Sequence, residues 1–398
     1  MRIATSNNYS TSLDALVNRQ STLTETQEQM TTGKRVNRAG DDPAAAARAE
    51  RALAAERRTV ASQRAVDASD NAMRMTESAL GDAGELMQQV REAMVKAGNA
   101  TYSDAERTGV ANTLSDLRAQ LLAVANRTDA SGLYLFGGQG ATRAPFVDAP
   151  GGVQFAGTSG NVQAASPDAL PLTMDGESSW MLARSGNGVF TTSTVASTGT
   201  ALIDTGAVTN PSAITGSTYD IQFSVAAGVT TYSVLKDGLA TAQTNVAYTA
   251  GQAIQIDGMT SKVTGAPANG DAFRLAPSSP SLSVFDTLDQ AISNLKTPGR
   301  TSTQIAQTNV FDLSNVDKVM NQLVDGRSQI GATMNRIDSA TDRLSALTLA
   351  SKTERSNAED LDMTQAISDF SNQQTGYDAA LKAYSMVQRL SLFNYINT

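Results

Sequence analysis

The residues best placed for chemistry in this chain are acidic and close together. Asp41 and Asp42 adjoin, and Glu359, Asp360 and Asp362 fall within a single short run. Paired carboxylates can do acid–base work or hold a hard cation. Asp42 directly precedes Pro43, however, and Pro is a favoured first helical residue, so the simpler use of Asp42 is as an N-cap. Composition closes off most other chemistry, because the 398 residues include no Cys and no His. Without Cys there is neither a disulfide framework nor a thiol nucleophile. Without His the Ser-His-Asp, Cys-His and HExxH arrangements cannot be built, and the commonest zinc ligand is missing. Gly137-Gly138-Gln139-Gly140 is glycine-rich but lacks the spacing of a phosphate cradle, and is expected to be a hinge. Trp180, the lone Trp, is expected in the core of a β domain, with a ligand site of Asn, Asp and Trp180 as the binding alternative. The expectation is no catalytic residue, no metal site and no cofactor, hence not an enzyme.

The elements that position these residues are mostly helices. At the N-terminal end Leu13, Leu16, Leu23 and Met30 form one stripe, the last three spaced by seven. At the other end Met363, Phe370, Tyr377 and Tyr384 recur every seven, flanked by Ile367 and Leu381. A seven-residue apolar period keeps one seam of a helix against a partner helix. Residues 13–30 and 361–396 are therefore expected to pair across the length of the chain, as a rod closed by its own two ends. Both stripes are sparse. Ordering a helical backbone costs about 1–2 kcal/mol per residue, and a buried Leu or Met returns about 1.5–3 kcal/mol. The two ends thus need neighbouring subunits to cover them, and Leu13, Leu16, Leu23, Met30, Ile367, Phe370, Tyr377, Leu381 and Tyr384 are the expected subunit interface.

Between the ends, residues 44–97 are Ala-rich, with Ala65, Ala68, Ala72, Met75, Ala79, Ala83, Leu86, Val90 and Ala97 at three/four spacing. Ser103 and Glu106 have the separation of a capping box and open a helix through Val124. A short helix is expected near 283–296, and Val316, Leu323, Ile330, Ile337 and Leu344 form the cleanest heptad, over 310–350. Residues 145–280 differ: they hold 4 Lys or Arg and 9 Asp or Glu, against 31 and 39 in the whole chain. There Tyr219, Ile221, Phe223 and Val225 alternate with polar residues, as do Ile254 and Ile256, and Asp237-Gly238 and Asn269-Gly270 mark turns. The fold expected is mainly α with a β-rich insert: terminal helices paired as a coiled coil (1–43 plus 357–398), a central helical bundle or rod (44–143 plus 283–356), and an outer β domain (144–282).

A net charge of −8 argues against nucleic acid or anionic membrane as a partner. No stretch approaches the ~20 apolar residues of a membrane-spanning helix. The polar segment from Met1 to Ser10 lacks the apolar region of a secretory signal. Composition leaves a cytoplasmic protein and export by a signal-independent route both open.

Thr31-Thr32-Gly33-Lys34-Arg35-Val36-Asn37-Arg38-Ala39-Gly40-Asp41-Asp42-Pro43-Ala44 resembles the turn between the first two helices of the bacterial flagellin family, and Gln88-Gln89-Val90-Arg91-Glu92-Ala93-Met94-Val95 resembles the helix that follows. The resemblance covers roughly 1–140 and 285–398. Within the family, Asp129-Ala130-Ser131-Gly132-Leu133-Tyr134-Leu135-Phe136-Gly137-Gly138 and Asp369-Phe370-Ser371-Asn372-Gln373-Gln374-Thr375-Gly376-Tyr377-Asp378-Ala379-Ala380-Leu381 are similar to its flagellin-like junction members. Gly270-Asp271-Ala272-Phe273-Arg274-Leu275 resembles a strand of hook-associated proteins. The end, Leu392-Phe393-Asn394-Tyr395-Ile396, departs from the Leu-rich tail of filament flagellins. The resemblance implies a structural part of the flagellum, exported unfolded through the flagellar secretion apparatus after an export chaperone has held its C-terminal stripe. Its implied partners are itself in a ring, a neighbouring hook-associated junction protein and filament flagellin. A filament subunit, and a secreted coiled-coil protein with a binding module in its β domain, are the alternatives.

Overall fold

The structure is a computed structural model that describes residues 2–99 and 101–396, with side chains within 10–99 and 101–386. The side chains of Met1 to Tyr9 and of Leu392 to Ile396, which figure in the sequence reading, lie outside the described ones. Seven α-helices are described: α1 (Arg2–Thr32), α2 (Pro43–Ala97), α3 (Asp104–Ala125), α4 (Gly176–Trp180), α5 (Val284–Lys296), α6 (Ser302–Glu359) and α7 (Met363–Ile396). Between α3 and α5 run β1 (Phe146–Ala149), β2 (Gly152–Phe155), β3 (Ala183–Arg184), β4 (Phe190–Ala196), β5 (Leu202–Ile203), β6 (Ala207–Val208) and β7 (Tyr219–Ala226). They continue with β8 (Val229–Lys236), β9 (Leu239–Ala240), β10 (Val246–Ala247), β11 (Ala253–Ile256), β12 (Met259–Thr264), β13 (Ala272–Pro277) and β14 (Pro280–Leu282). The chain folds as two compact units, Met1–Arg64 with Ala340–Thr398, and Ala65–Ser339.

Local sequence sets the helix starts. The Asp42 carboxylate accepts from the N–H groups of Ala44 and Ala45 at 3.1 and 2.9 Å and caps α2. Ser103 and Glu106 form the reciprocal capping box expected of them at the start of α3. Ser283 caps α5, and Asp362 caps α7 by accepting from Thr364 N–H at 3.0 Å.

Within the second unit, Val66, Ser69, Met73, Thr76, Leu80, Ala83, Met87, Val90, Met94 and Ala97 of α2 are buried at alternating spacings of three and four, with Ala72 and Ala79 buried beside them. Of the expected stripe, Ala72, Ala79, Ala83, Val90 and Ala97 are buried, whereas Ala68 and Met75 face out and are corrected. The larger Met and Leu side chains fill the core, and the polar members of the seam are satisfied. Ser69 Oγ donates to Pro171 O at 2.6 Å, and Thr76 Oγ1 to Ala72 O at 2.8 Å. The α6 heptad is buried as expected at Val316, Leu323, Ile330, Ile337 and Leu344. Arg91–Asp317 at 2.7 Å and Arg327–Glu77 tie α2 to α6 in antiparallel sense, so Arg327, which interrupts the heptad, has a partner.

The insert contains an antiparallel sheet of order β10-β8-β7-β13-β4 and a second of order β11-β12-β5. One core joins them, built from Phe190, Ile203, Tyr219, Ile221, Phe223, Val234, Ile254, Ile256, Val263, Phe273 and Leu275. The period-two reading of β7 holds, since Tyr219, Ile221 and Phe223 are buried while Gln222 and Ser224 are exposed. Gln307 of α6 ties this core to the helices. Its buried amide accepts from Ile203 N–H at 2.7 Å and donates to Ile203 O at 2.9 Å, acting as a strand neighbour for β5.

Two expectations are corrected here. Trp180 is fully buried, but outside the sheet core: it stacks on Phe285 of α5 with ring centroids 5.9 Å apart and meets Phe136 edge-on at 5.4 Å. The short helix α4, capped by Asp175, carries it there. A ring so enclosed is closed to a ligand. The glycine run is no hinge either. Gly138 has φ +63, and a Cβ there would fall 1.9 Å from Thr158 O. Its N–H donates to Met174 O and its carbonyl accepts from buried Thr173 Oγ1. The glycine permits a backbone crossing rather than motion.

Candidate assembly surface

The acidic residues singled out by sequence meet in the first unit, where they hold the turn 33–42 against the end of α6. Arg35 N–H donates to Glu359 O at 2.7 Å and Leu361 N–H to Gly33 O at 3.0 Å. Lys34 pairs with Glu359 at 3.2 Å, and Arg35 reaches both Asp42 and Ala358 O. Gly33 takes φ +71 to make the turn. Asp41 accepts from the N–H groups of Asn37 and Arg38. The Ala45 N–H, then the Arg35 guanidinium, hold the Asp42 carboxyl below its ordinary value. Every one of these carboxylates thus has a structural use in joining the helix ends.

Beyond that clasp, α1 and α7 pack on each other. On α7 the covered positions are Ala366, Phe370, Gln373, Tyr377, Ala380 and Tyr384, again alternating four and three. On α1 they include Leu16, Leu23, Thr26 and Met30. The nine interface candidates therefore divide. Leu16, Leu23, Met30, Phe370, Tyr377 and Tyr384 are half-buried along the intramolecular seam, whereas Leu13, Ile367 and Leu381 stay 44%, 52% and 41% exposed. Val17, Met363 and Met386 are exposed with them. Sequence reasoning missed Thr26 and Gln373, which face each other with Thr26 Oγ1 2.9 Å from Gln373 Oε1. A polar pair inside an apolar seam fixes register at a cost in stability. Gly376 lets Arg19 pass close, since a Cβ there would meet its guanidinium at 2.7 Å.

The seam is thin and partly polar, and an apolar face remains uncovered beside it. Leu13 and Val17 on α1 and Met363, Ile367, Leu381 and Met386 on α7 leave apolar side chains in solvent. Among the described residues no group of His, Cys, Asp or Glu could hold a metal ion, and no helix is long and apolar enough to cross a membrane.

Fold and surface together define a structural subunit: N- and C-terminal helices paired on each other, a helical body, and a β insert. The chain belongs to the bacterial flagellin family, matching the profile of the flagellin N-terminal helical region over residues 3–141 and that of the C-terminal helical region over 313–396. Along its whole length it is similar to flagellar hook-associated protein 3 of Escherichia coli K12, with 25% identity over 397 residues and 99% of each chain covered. The crystal structure of hook-associated protein 3 from Legionella pneumophila superposes with a TM-score of 0.71 at 27% identity, covering 76% of this chain and 97% of that one. The Xanthomonas campestris FlgL structure gives 0.69 at 29% identity, covering 77% and 99%.

Proposed function

We propose that this chain is the structural adaptor that joins hook to filament in the bacterial flagellum. The observation that carries this reading is the extent of the likeness. The flagellin helical regions end at residue 141 and resume at 313, and alone would suit a filament subunit equally. The likeness to hook-associated protein 3 runs through the insert as well.

In this reading copies of the chain form a ring on a neighbouring hook-associated junction protein and present a flagellin-like surface on which filament flagellin polymerises. The parts divide as 1–43 with 357–398 for polymerisation, 44–143 with 283–356 as helical body, and 144–282 as the inserted β domain. Leu13, Ile367 and Leu381 contact neighbouring subunits. Leu16, Leu23, Met30, Phe370, Tyr377 and Tyr384 keep the two terminal helices in the geometry that such contacts need. Export proceeds without a cleaved signal, with a chaperone covering the C-terminal stripe beforehand. Threading through a secretion channel suits a chain that has no Cys to cross-link.

Deletion of this chain from its cell is the test. Flagellin should then appear in the medium as unpolymerised protein while hooks remain bare. Filaments of normal length on such cells would overturn the reading.

A further inference from the structure

The first unit carries a concave acidic surface and a convex basic one. A groove of ≈ 680 Å³ lies between α1 and the turn 33–42, lined among others by Val17, Gln20, Glu25, Glu28, Asn37 and Asp41. Arg38, which also lines it, is paired with Glu28 at 2.8 Å, leaving Glu25 and Asp41 without an ion pair among the described residues. Val17, 56% exposed, gives the groove an apolar patch.

The basic surface is the first part of α2. Residues 43–64 hold five Arg and two Glu, and one of those, Glu56, is engaged by Arg355 and Lys352 of α6. Arg48, Arg51 and Arg58 are exposed and fall at helical spacing along one side, with exposed Ala44, Ala47 and Ala54 between them. None of the three has an acidic partner among the described residues. Small alanines leave the Arg48 and Arg58 side chains room to enter a groove, while Arg51 Nε donates to Ala47 O at 3.1 Å, and the aliphatic stems can lie on an apolar patch such as Val17.

We propose that the acidic groove of one copy receives the Arg48–Arg51–Arg58 stripe of a second copy of this chain. The inference rests on the ring reading above and names the contact that builds the ring. A contact between two different patches of the same molecule is heterologous, so each copy passes the interaction on, and the series closes into a ring when the rotation allows. A self-complementary patch would stop at a dimer. Both surfaces are solvent-exposed, so their attraction selects partner and register and weakens as salt rises.

Charge reversal tests the contact in cells whose only copy is the variant. The chain with Arg48→Glu, Arg51→Glu and Arg58→Glu, and the chain with Glu25→Lys and Glu28→Lys, should each be secreted and yet be missing from the hook–filament junction. The chain carrying all five changes should return to it, because the acidic stripe then meets a groove made basic at Glu25→Lys and Glu28→Lys. Circular-dichroism melting of each purified chain checks the fold. If the triple reversal lowers the melting temperature, Arg48→Gln with Arg58→Gln replaces it and should cut incorporation several-fold. Wild-type incorporation of either single-surface variant would overturn the proposal, as would failure of a normally folded five-change chain to recover. Absence of the unaltered chain from junctions would instead overturn the ring reading itself.

Discussion

Asp312 shows how much a single buried group can set. It sits in α6, buried, with Asn294 Nδ2 donating to both carboxylate oxygens at 3.1 and 3.0 Å. Burial pushes its pKa up to about 6 from an ordinary 3.8, against the pull of Asn294 and Arg300. The folded chain therefore holds this proton more tightly than the unfolded chain does. Ionisation costs stability progressively between roughly pH 4 and pH 6, and the cost, at most about 3 kcal/mol, is complete above that. Asp312→Asn should be close to neutral at pH 4 and stabilise the second unit by about 1–3 kcal/mol at pH 7. Urea unfolding at the two pH values checks this, and an effect of equal size at both would contradict it. Gln307 acts through hydrogen bonds instead. Gln307→Leu should cost about 2–4 kcal/mol, because the buried N–H and carbonyl of Ile203 lose their partners together. Thermal melting of the purified chain measures it, and a loss under about 0.5 kcal/mol would mean that β5 finds other partners. Neither residue stood out in the sequence. A Gln in a helix and an Asp beside a heptad look like ordinary surface residues until the insert and α5 are seen to cover them. Asp42, by contrast, was legible, since Asp-Pro at a helix start has one economical use.

At the scale of elements, periodicity served well wherever large apolar residues carried it. The α6 heptad and the alternation in β7 were readable because Val, Leu, Ile and aromatics occupy the covered positions. In α2 the same rule succeeded at Ala72, Ala79, Ala83, Val90 and Ala97 and misled at Ala68 and Met75. Ala is common on both faces of that helix, so an alanine stripe has several registers, and the true one is marked by Met73, Leu80, Met87 and Met94. The glycine run at 137–140 was read as a hinge because Gly both permits motion and permits close packing, and sequence alone does not separate the two. For α1 and α7 the sequence found the stripe but merged two faces. The structure separates the covered seam from Leu13, Ile367 and Leu381, and that difference is testable. Leu381→Asp should leave the monomer's stability unchanged within about 0.5 kcal/mol, because the side chain is already in solvent, yet abolish motility. Leu23→Asp should abolish motility and also loosen the paired helices, because it puts a charge in their seam. Normal swimming with Leu381→Asp would show that the exposed face makes no contact of consequence.

At the scale of the whole molecule, the missing His and Cys, the low charge density of the insert and the matched terminal helices converge on assembly. Each carboxylate that the sequence singles out for chemistry is engaged in capping a helix or closing a turn. An adaptor of this kind would sit at one place on the flagellum and not along it. Immunogold labelling of detached flagella with antibody against residues 145–280 measures that directly. A single discrete band between hook and filament is the predicted result. Label along the full length of the filament would contradict it and make the chain a filament subunit.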